Sequence, residues 1–327
     1  MTSCDTEKET EVLKKAKARQ HGDSLFDAHS VKTAFVLTAS YLIVSAILIG
    51  FKTEQVILVA LFNACYFAGR PTRRFILGFS VFIVYWIVFD YMKAFPNYKF
   101  NTVHIQDLYQ AEKSLFSFSS QGKMITPNEF FAQNTSSFFD LLSGIFYLCW
   151  IPLPLAFAGV LFFKNRSLFF QFALTFFLVN IIGFIGYYLY PAAPPWYVAQ
   201  HGFDFISSTP GNTAGLGRFD ALVGAGVFKS IYAKSSNVFA AMPSLHASYI
   251  LIVLFYGLKG KFGTWNILFA LVMIGIWFAA VYSSHHYVLD VLAGVGCAIV
   301  GIALFQWWIK TKTGRAVLQK LVRMVTI

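Results

Sequence analysis

Eight apolar segments constrain the fold of this 327-residue chain more than any other feature. They lie near residues 34–51, 54–69, 75–92, 138–163, 167–190, 241–258, 264–283 and 286–309. A helix needs about 20 apolar residues to cross a bilayer, within a range of about 17–25. Only 13% of the residues are charged, whereas soluble proteins carry about 25%. The sequence therefore predicts an all-α, polytopic membrane helical bundle with about eight transmembrane helices, of which the short second one is the least regular.

The distribution of Lys and Arg predicts the orientation of these helices. With eight spans, both termini and three of the loops lie on one side, and that side collects most of the basic residues. The basic residues of these three loops are Arg70, Arg73, Arg74, Lys164, Arg166, Lys259 and Lys261. Because basic residues concentrate in cytoplasmic loops, we expect both termini in the cytoplasm. This orientation accounts for the net charge of +11 without nucleic-acid binding, which we do not expect.

Three regions follow from this pattern. Residues 1–32 form a polar cytoplasmic segment without the features of a cleaved signal peptide, residues 33–310 a transmembrane domain, and residues 311–327 a basic cytoplasmic tail. Two outside segments are long. Within residues 93–137, the stretch 104–116 has apolar residues at a roughly helical period, which is typical of an interfacial amphipathic helix but also fits a plain connecting loop. Residues 191–240 are rich in Gly, Pro, Ala and Ser and predict an ordered but irregular loop.

Two short histidine motifs stand at the start of apolar segments. Residues 242–246 read Met-Pro-Ser-Leu-His and residues 284–290 read Ser-His-His-Tyr-Val-Leu-Asp. The sixth and eighth spans both run from outside to inside, so their N-termini face outward together, and we expect His246 and His286 to meet there. Helix N-termini carry unsatisfied N–H groups and partial positive charge, which suits a phosphate. Pro243 is expected at the first helical position, and Ser244 either donates to a phosphate oxygen or caps the helix.

These residue types predict phosphoryl transfer through a covalent phosphohistidine. His286 and Asp290 are spaced i, i+4, so they share a helix face. Asp290 would then hold the proton of one ring nitrogen and leave the other free to attack phosphorus. His246 would protonate the leaving oxygen and then act as base toward the acceptor. His285 is i, i+5 from Asp290, so it is the less suitable nucleophile, and it either contacts substrate or lies at the interface.

No metal and no other cofactor is expected. A zinc site built from the three histidines and Asp290 would match no common ligand spacing, and phosphohistidine chemistry needs no metal.

The motifs Pro-Ser-x-His and His-x-x-x-Asp resemble the type-2 phosphatidic acid phosphatase superfamily. Residues 144–150, 190–197 and 285–290 make the resemblance closer to its inositol phosphorylceramide synthase, or aureobasidin-A-resistance, branch, and it runs from about residue 89 to 296. It implies a phosphatidic-acid-phosphatase-type helical core with His286 as nucleophile, Asp290 as its orienter and His246 as acid. It also implies transfer of phosphoinositol from phosphatidylinositol to ceramide, so membrane lipids are the expected partners. An accessory subunit and the oligomeric state stay open.

The chain departs from the superfamily pattern in its cations. The first superfamily motif, Lys-x6-Arg-Pro, is absent, and Ala280 stands where an Arg usually precedes the nucleophile by six residues. Because both cations would clamp a phosphate monoester, their loss favours a phosphodiester, which carries one charge. Alternatively other cations substitute, and the candidates in the outside loop are Arg218, Lys229 and Lys234; each is also explained as a solvated loop charge.

Aromatic residues complete the candidate substrate-binding set, namely Tyr190, Trp196 and Tyr287. Trp196, with its neighbour Tyr197, would form a lid or a sugar platform, or else belong to an interfacial aromatic belt. The Pro-rich run 191–195 should end the fifth span.

Other functions stay open. The same histidines with water as acceptor would make a lipid phosphate or polyprenyl pyrophosphate phosphatase, and a donor with another head group is a further alternative. A lipid transporter or scramblase would want polar residues near the midplane of the spans, whereas the ionisable residues here gather at their ends. We expect a multi-pass integral membrane protein with its site on the extracytoplasmic face, periplasmic or lumenal, and favour a bacterial inner membrane over the Golgi.

Overall fold

Helices account for most of the chain in the computed structural model, which describes residues 25–233 and 237–326. In chain order these helices are α1 (Ala28–Ile49), α2 (Thr53–Ala68), α3 (Arg70–Tyr91), α4 (Gln106–Phe116), α5 (Pro127–Gln133), α6 (Ser137–Leu148), α7 (Pro152–Lys164), α8 (Arg166–Leu189), α9 (Pro195–His201), α10 (Leu216–Val223), α11 (Val227–Tyr232), α12 (Leu245–Lys259), α13 (Trp265–Tyr282), α14 (Val288–Trp308) and α15 (Lys312–Thr326). Single 3₁₀ turns, Met92–Ala94 and Asn97–Lys99, follow α3. An antiparallel hairpin, β1 (Phe118–Ser120) and β2 (Lys123–Ile125), joins α4 to α5.

The predicted membrane architecture is confirmed. Among the described helices, α1, α3, α8, α13 and α14 are long and apolar enough to cross a membrane. Helices α6 and α7, with a bend of 40° between them, have the length and composition of a broken span or a re-entrant loop. The shorter apolar helices α2 and α12 correspond to the second and sixth predicted segments. Each predicted segment thus corresponds to one helix or to the bent pair. The count of eight is compatible with these lengths and requires both short helices to cross.

The first apolar helix begins earlier than the hydropathy pattern predicts. Asp27 caps α1, because its carboxylate accepts the Ser30 N–H at 2.9 Å, and the helix starts at Ala28. The predicted boundary at residue 32 therefore falls inside α1. Residues 1–24 of the predicted polar segment lie outside the described residues. The predicted tail, 311–327, is a helix through Thr326, with basic residues such as Lys312 and Arg323 along it.

The chain divides into two compact units whose boundary falls inside α3, at Ser80 and Val81. In the first unit α1 and α2 pack together, and the Asn63 amide donates to the Thr38 hydroxyl at 2.9 Å. The second unit, residues 81–323, contains both histidine motifs.

Helix α12 is the centre of the second unit. It packs against α8, α13 and α14, while α13 also packs against α6. Hydrogen bonds between buried side chains join these helices: the Tyr249 hydroxyl donates to Asn180 at 2.6 Å, and the Thr175 and Tyr256 hydroxyls are 2.6 Å apart. In a membrane, packing and such interhelical hydrogen bonds replace the hydrophobic effect as the force between helices. These two bonds therefore hold α12 against α8 along its length.

The two long segments that were predicted to lie outside, 93–137 and 191–240, are more regular than the sequence predicts. The stretch 104–116 is indeed helical, as α4, which decides between the two predicted alternatives. The prediction of an irregular loop over 191–240 was wrong for its parts α9, α10 and α11. A short parallel bridge from His104 to Ala192 ties the two segments together, and a second bridge, from Ala192 to Ala240, joins the two ends of the later segment. As predicted, α8 ends at Leu189, directly before the Pro-rich run.

Candidate active site

His246 and His286 face each other across a short gap. His246 is the second residue of α12, and His286 lies two residues before the start of α14. The Nδ1 atom of His246 is 3.3 Å from the Nε2 atom of His286. The two motifs are also joined through the backbone, because the Ser244 N–H donates to the Asp290 carbonyl at 2.9 Å. The structure thus brings together the two histidines that the sequence predicts at one membrane face.

Asp290 lies beside His286, but the two residues are not on one helix as was predicted. Its Oδ2 atom lies 3.5 Å from His286 Nδ1 and accepts the Tyr287 N–H at 2.9 Å. The prediction of a shared helix face was wrong, since α14 begins only at Val288 and His286 precedes it. The pair meets because the chain turns at Tyr287, the N-cap residue. With Nδ1 toward the carboxylate, Nε2 is the ring atom that faces His246 and is left for attack.

Gly294 allows the two motif-bearing helices to approach closely. A Cβ atom built on Gly294 would lie 2.0 Å from the Ser244 carbonyl oxygen and 2.9 Å from its carbonyl carbon. Both are backbone atoms, which cannot rotate away as a side chain can. The separation of α12 and α14 at this level, and with it the spacing of His246 and His286, therefore depends on the missing side chain.

The N-terminus of α14 is occupied by a carboxylate of the protein itself. Glu112 of α4 accepts the Val288 N–H at 3.0 Å and the Leu289 N–H at 3.1 Å. Together with Asp290, which takes the Tyr287 N–H, it fills the donors that the sequence assigns to a substrate phosphate. The prediction that both helix ends bind phosphate is therefore wrong for the eighth apolar segment, because its end already holds an anion.

The N-terminus of α12 keeps a candidate phosphate donor. Ser244 has the extended backbone of an N-cap residue, but its side chain makes no capping hydrogen bond. Its hydroxyl is fully buried and has no hydrogen-bond partner among the described residues. Pro243 was predicted at the first helical position, but it precedes the N-cap residue Ser244 and lies outside the helix. Of the two predicted roles of Ser244, donation to a phosphate oxygen is the one that the hydroxyl is free to perform.

His285 is engaged inside the protein. Its Nε2 donates to the Thr213 carbonyl at 2.8 Å, and its ring stacks on Tyr232 at a centroid distance of 4.6 Å. Burial, and then the nearby His286, lower the pKa of His285 to about 3, although the hydrogen bond to Thr213 opposes the shift. The ring therefore stays neutral at physiological pH and ties the preceding loop to the second histidine motif. This internal role differs from the two predicted ones, substrate contact and an interfacial position.

The candidate phosphate-binding cations do not meet the histidines. Arg218 pairs with Asp140, with 2.6 Å between Nε and Oδ1, and its guanidinium lies 5.2 Å from the centre of the Tyr282 ring. Its charge is therefore paired, so it is not the solvated loop charge of the alternative prediction, while its buried Nη2 has no hydrogen-bond partner among the described residues. Lys229 is exposed on α11, and Lys234 lies outside the described residues. Within the part of the chain that the structure describes, neither Arg218 nor Lys229 makes a hydrogen bond or ion pair with a histidine of the site.

The candidate aromatic residues form interior contacts. Trp196 is 6% exposed, and its backbone N–H donates to the Ser284 carbonyl at 3.0 Å. A ring this buried is neither an exposed lid nor part of a lipid-facing belt, and it packs beside residues 283–287; its predicted role as a sugar platform stays a prediction. Tyr190 stacks on His104 at 3.7 Å, and burial raises its pKa to about 12. Tyr287 is buried in a cluster with Leu108.

Comparisons with known proteins identify the family of this chain. Residues 106–304 match the PAP2 superfamily. The chain belongs to this superfamily. Within it, a phosphoinositol dihydroceramide synthase of Bacteroides thetaiotaomicron is 46% identical over 277 residues, which are 84% of this chain and 91% of that protein. The resemblance drawn from the histidine motifs and the residues around them is confirmed.

More distant relatives of this PAP2 superfamily member are fungal. An inositol phosphorylceramide synthase of Candida albicans is 28% identical over 169 residues, 49% of this chain and 35% of that protein. The inositol phosphorylceramide synthase catalytic subunit of Saccharomyces cerevisiae is 29% identical over 184 residues, 55% of this chain and 45% of that protein. The matched region thus spans less than half of each fungal protein. No solved structure gives a significant match.

Two aromatic residues surround His246 in this PAP2 fold and were not predicted as part of the site. The Tyr147 hydroxyl, at the end of α6, is 3.3 Å from His246 Nδ1. Trp150 meets the same imidazole edge to face at 4.5 Å. Both belong to residues 144–150, which the sequence singled out for family resemblance only. The bend between α6 and α7 places them, and hydropathy does not reveal a bend.

Two polar residues of the outside segments also reach the site, Glu112 and Asn128. The Asn128 amide donates to the carbonyls of Val281 and His286, each at 2.9 Å. The sequence held a signal for Glu112: it is four residues after Leu108, so a charge stands on the apolar face of a helical pattern. Asn128 had no such signal.

The site residues form no metal-binding group. Across residues 25–233 and 237–326, no cluster of three or more His, Cys, Asp and Glu side chains is arranged to hold a metal ion.

Replacing Ser244 by alanine should lower activity without lowering stability. The hydroxyl makes no hydrogen bond in the resting protein, so its removal sacrifices no folding interaction. If it donates to the phosphate during reaction, we expect kcat/KM to fall about 100–1,000-fold, as for loss of one donor to developing charge. Thermal unfolding and steady-state transfer measured on the same preparation test this.

Ser248→Ala is the matched control for this variant. Its hydroxyl, one turn further along α12, donates to the Gly294 carbonyl at 2.6 Å. Its loss should lower the unfolding temperature and leave kcat/KM within about threefold, since a buried hydrogen bond contributes about 1 kcal/mol to stability. The reverse pattern, with Ser244→Ala unstable but active, would contradict the assignment.

Proposed function

We propose that this protein transfers phosphoinositol from phosphatidylinositol to ceramide, through a phosphohistidine at His286, and releases diacylglycerol. The observation that carries the chemistry is the 3.3 Å approach of His246 Nδ1 to His286 Nε2, with Asp290 behind His286. The substrate class is supported by the printed name of the 46% identical relative, a phosphoinositol dihydroceramide synthase. Lipid-to-lipid transfer also suits a site at the outer ends of membrane helices.

In the first half-reaction, the lone pair of His286 Nε2 attacks the phosphorus of the donor. The bond from phosphorus to the diacylglycerol oxygen breaks, and protonated His246 gives its proton to that oxygen. Asp290, whose Oδ2 lies 3.5 Å from His286 Nδ1, stabilises the positive charge that the His286 ring acquires. The products are diacylglycerol and a phosphoinositol group bound to His286.

In the second half-reaction, the primary hydroxyl of ceramide takes the place that diacylglycerol left. His246, now neutral, accepts the hydroxyl proton while the oxygen attacks phosphorus. The phosphorus–nitrogen bond breaks, and His286 is regenerated. No proton or electron is gained or lost over the cycle, so no soluble co-reactant is needed.

The charges around the site favour a diester substrate. Arg218 is paired with Asp140, and the α14 terminus is filled by Glu112. A phosphate monoester with two negative charges would find little to balance it, whereas a diester with one charge needs only the Ser244 end of α12 and protonated His246. This supports the transferase over a phosphatase.

We further propose the predicted domain boundaries and sidedness for this enzyme. Residues 33–310 would be the catalytic membrane domain, between a polar N-terminal segment and the basic tail. The positive-inside rule supports an extracytoplasmic site, and the bacterial source of the relative supports a bacterial inner membrane.

The test is a transfer assay with purified full-length protein in detergent and inositol-labelled phosphatidylinositol, with and without ceramide. We expect a labelled sphingolipid that forms only when ceramide is present, with diacylglycerol in equal amount. Release of water-soluble phosphate from phosphatidate or a polyprenyl pyrophosphate, regardless of ceramide, would instead establish the phosphatase. Absence of both reactions would overturn the enzyme assignment.

A further inference from the structure

Helix α4 carries a buried acid, Glu112, beside the start of α14, which follows His286. Leu108, on its apolar face, packs in one cluster with Ala192 and Tyr287. Glu112 follows Leu108 by one turn, so it shares that face, and it is fully buried. An ionised carboxylate is costly to bury unless it is paired or hydrogen-bonded, so its contacts should identify what it does.

Both oxygens of Glu112 are used on one helix end. Oε1 accepts the N–H of Val288 at 3.0 Å, and Oε2 accepts the N–H of Leu289 at 3.1 Å. These are the first two donors of α14, where the helix dipole also favours a negative charge. Burial raises the pKa of Glu112, the two backbone hydrogen bonds oppose this, and the charge of Asp290 adds to the rise.

The carboxylate thereby fixes the residues that present His286. Asp290 takes the Tyr287 N–H, so three successive backbone donors after His286 end on two carboxylates. Asn128 holds the carbonyl of His286 itself from α5. The imidazole thus sits on a segment restrained from both sides. Such restraint has catalytic value because a misplacement of about 1 Å can cost about 100-fold in rate.

We propose that Glu112 is a positioning residue of this enzyme. By holding the start of α14, it keeps His286 Nε2 in line for attack and Asp290 against Nδ1. This inference rests on the proposed function for its assay, but it concerns only the geometry of the nucleophile. It gives the outside helix α4 a direct part in the reaction.

The test compares Glu112→Gln with wild type in steady-state transfer. Gln retains the shape of the side chain but places an amide donor against a backbone donor. We expect kcat to fall about 10–100-fold, with KM for both lipids within about twofold, because Glu112 touches no substrate. Glu112→Asp, which keeps the charge at the helix end, should recover about tenfold of the loss and replaces Glu112→Gln if that variant does not fold.

Glu129→Gln is the matched control. Glu129 caps the neighbouring helix α5 through the Thr126 N–H at 2.7 Å and accepts the Tyr109 hydroxyl at 2.8 Å. Gln serves equally well in this kind of cap, so kcat should stay within about twofold. Wild-type kcat in Glu112→Gln, or an equal loss in Glu129→Gln, overturns the positioning role. A Glu112→Gln variant that loses only thermal stability does the same.

Failure of the proposed function is separable from failure of this inference. If wild type transfers nothing to ceramide but hydrolyses phosphatidate, the variants are compared in that hydrolysis, since alignment of His286 matters for either acceptor. A kcat loss confined to the Glu112 variants then still supports the positioning role, and its absence removes it.

Discussion

His286→Ala should abolish transfer, with a loss of about 10⁴-fold or more, because removal of a nucleophile leaves only binding and electrostatic contributions to the rate. The variant should fold, since the His286 backbone contacts, including the bond from Asn128, do not depend on the side chain. Inositol-labelled phosphatidylinositol, supplied without ceramide and quenched rapidly, should label wild type covalently through an acid-labile phosphorus–nitrogen bond. The alanine variant should remain unlabelled.

His201→Ala is the control for this variant. His201 ends α9 and packs beside Tyr197, 4.9 Å away between ring centres. Its loss should leave labelling and transfer within about twofold. A His286→Ala protein that still acquires label would assign the covalent intermediate to another residue, and His246, the nearest imidazole, would be the first to examine.

Gly294→Ala is the second change with a large expected effect. The new methyl group would meet the Ser244 carbonyl at 2.0 Å, which forces α12 and α14 apart at the level of the two histidines. Overpacking of this kind costs about 1–3 kcal/mol, and the displaced histidines should lower kcat about 100-fold. Circular dichroism during heating and the transfer assay measure the two effects separately.

Gly296→Ala, two residues along the same helix, is the control that distinguishes the steric clash at Gly294 from the general effect of replacing a helical glycine by alanine. A Cβ atom there would meet nothing within 4 Å, and alanine favours a helix over glycine by about 1 kcal/mol. We expect full activity and equal or higher stability. Equal behaviour of the two variants would show that the close approach at Gly294 does not set the site.

The sequence predicted the parts of this fold that local pattern determines. Apolar length located every span or bent span, and motif chemistry located His246, His286 and Asp290, which the structure brings together. The predicted geometry was nevertheless wrong for Asp290: it does not share a helix face with His286, because the helix starts after His286 rather than before it. A shift of two residues at a helix start lies below what hydropathy resolves.

The parts that escaped prediction depend on contacts between distant residues. The ion pair of Arg218 with Asp140, 78 positions earlier in the chain, could not be predicted from the residues around either one. Glu112 binds the N-terminus of α14, which the sequence analysis assigned to a substrate phosphate. Trp196 is buried, whereas one of its predicted roles was in an interfacial aromatic belt. Each correction concerns a charge or ring whose partner cannot be read from its neighbours in sequence.

The long reach of Glu112 and Asn128 has a consequence for biosynthesis. Their partners near His286 are 176, 177 and 158 positions further along the chain. The contacts that restrain the nucleophile can therefore form only after the eighth apolar segment has begun to be made. Long-range contacts of this kind form late during folding, and chains begin to fold from their N-terminus during synthesis. A ribosome-bound chain that has inserted only the seven earlier apolar segments therefore lacks a functional centre, so the active site can assemble only after the eighth segment has begun to be made.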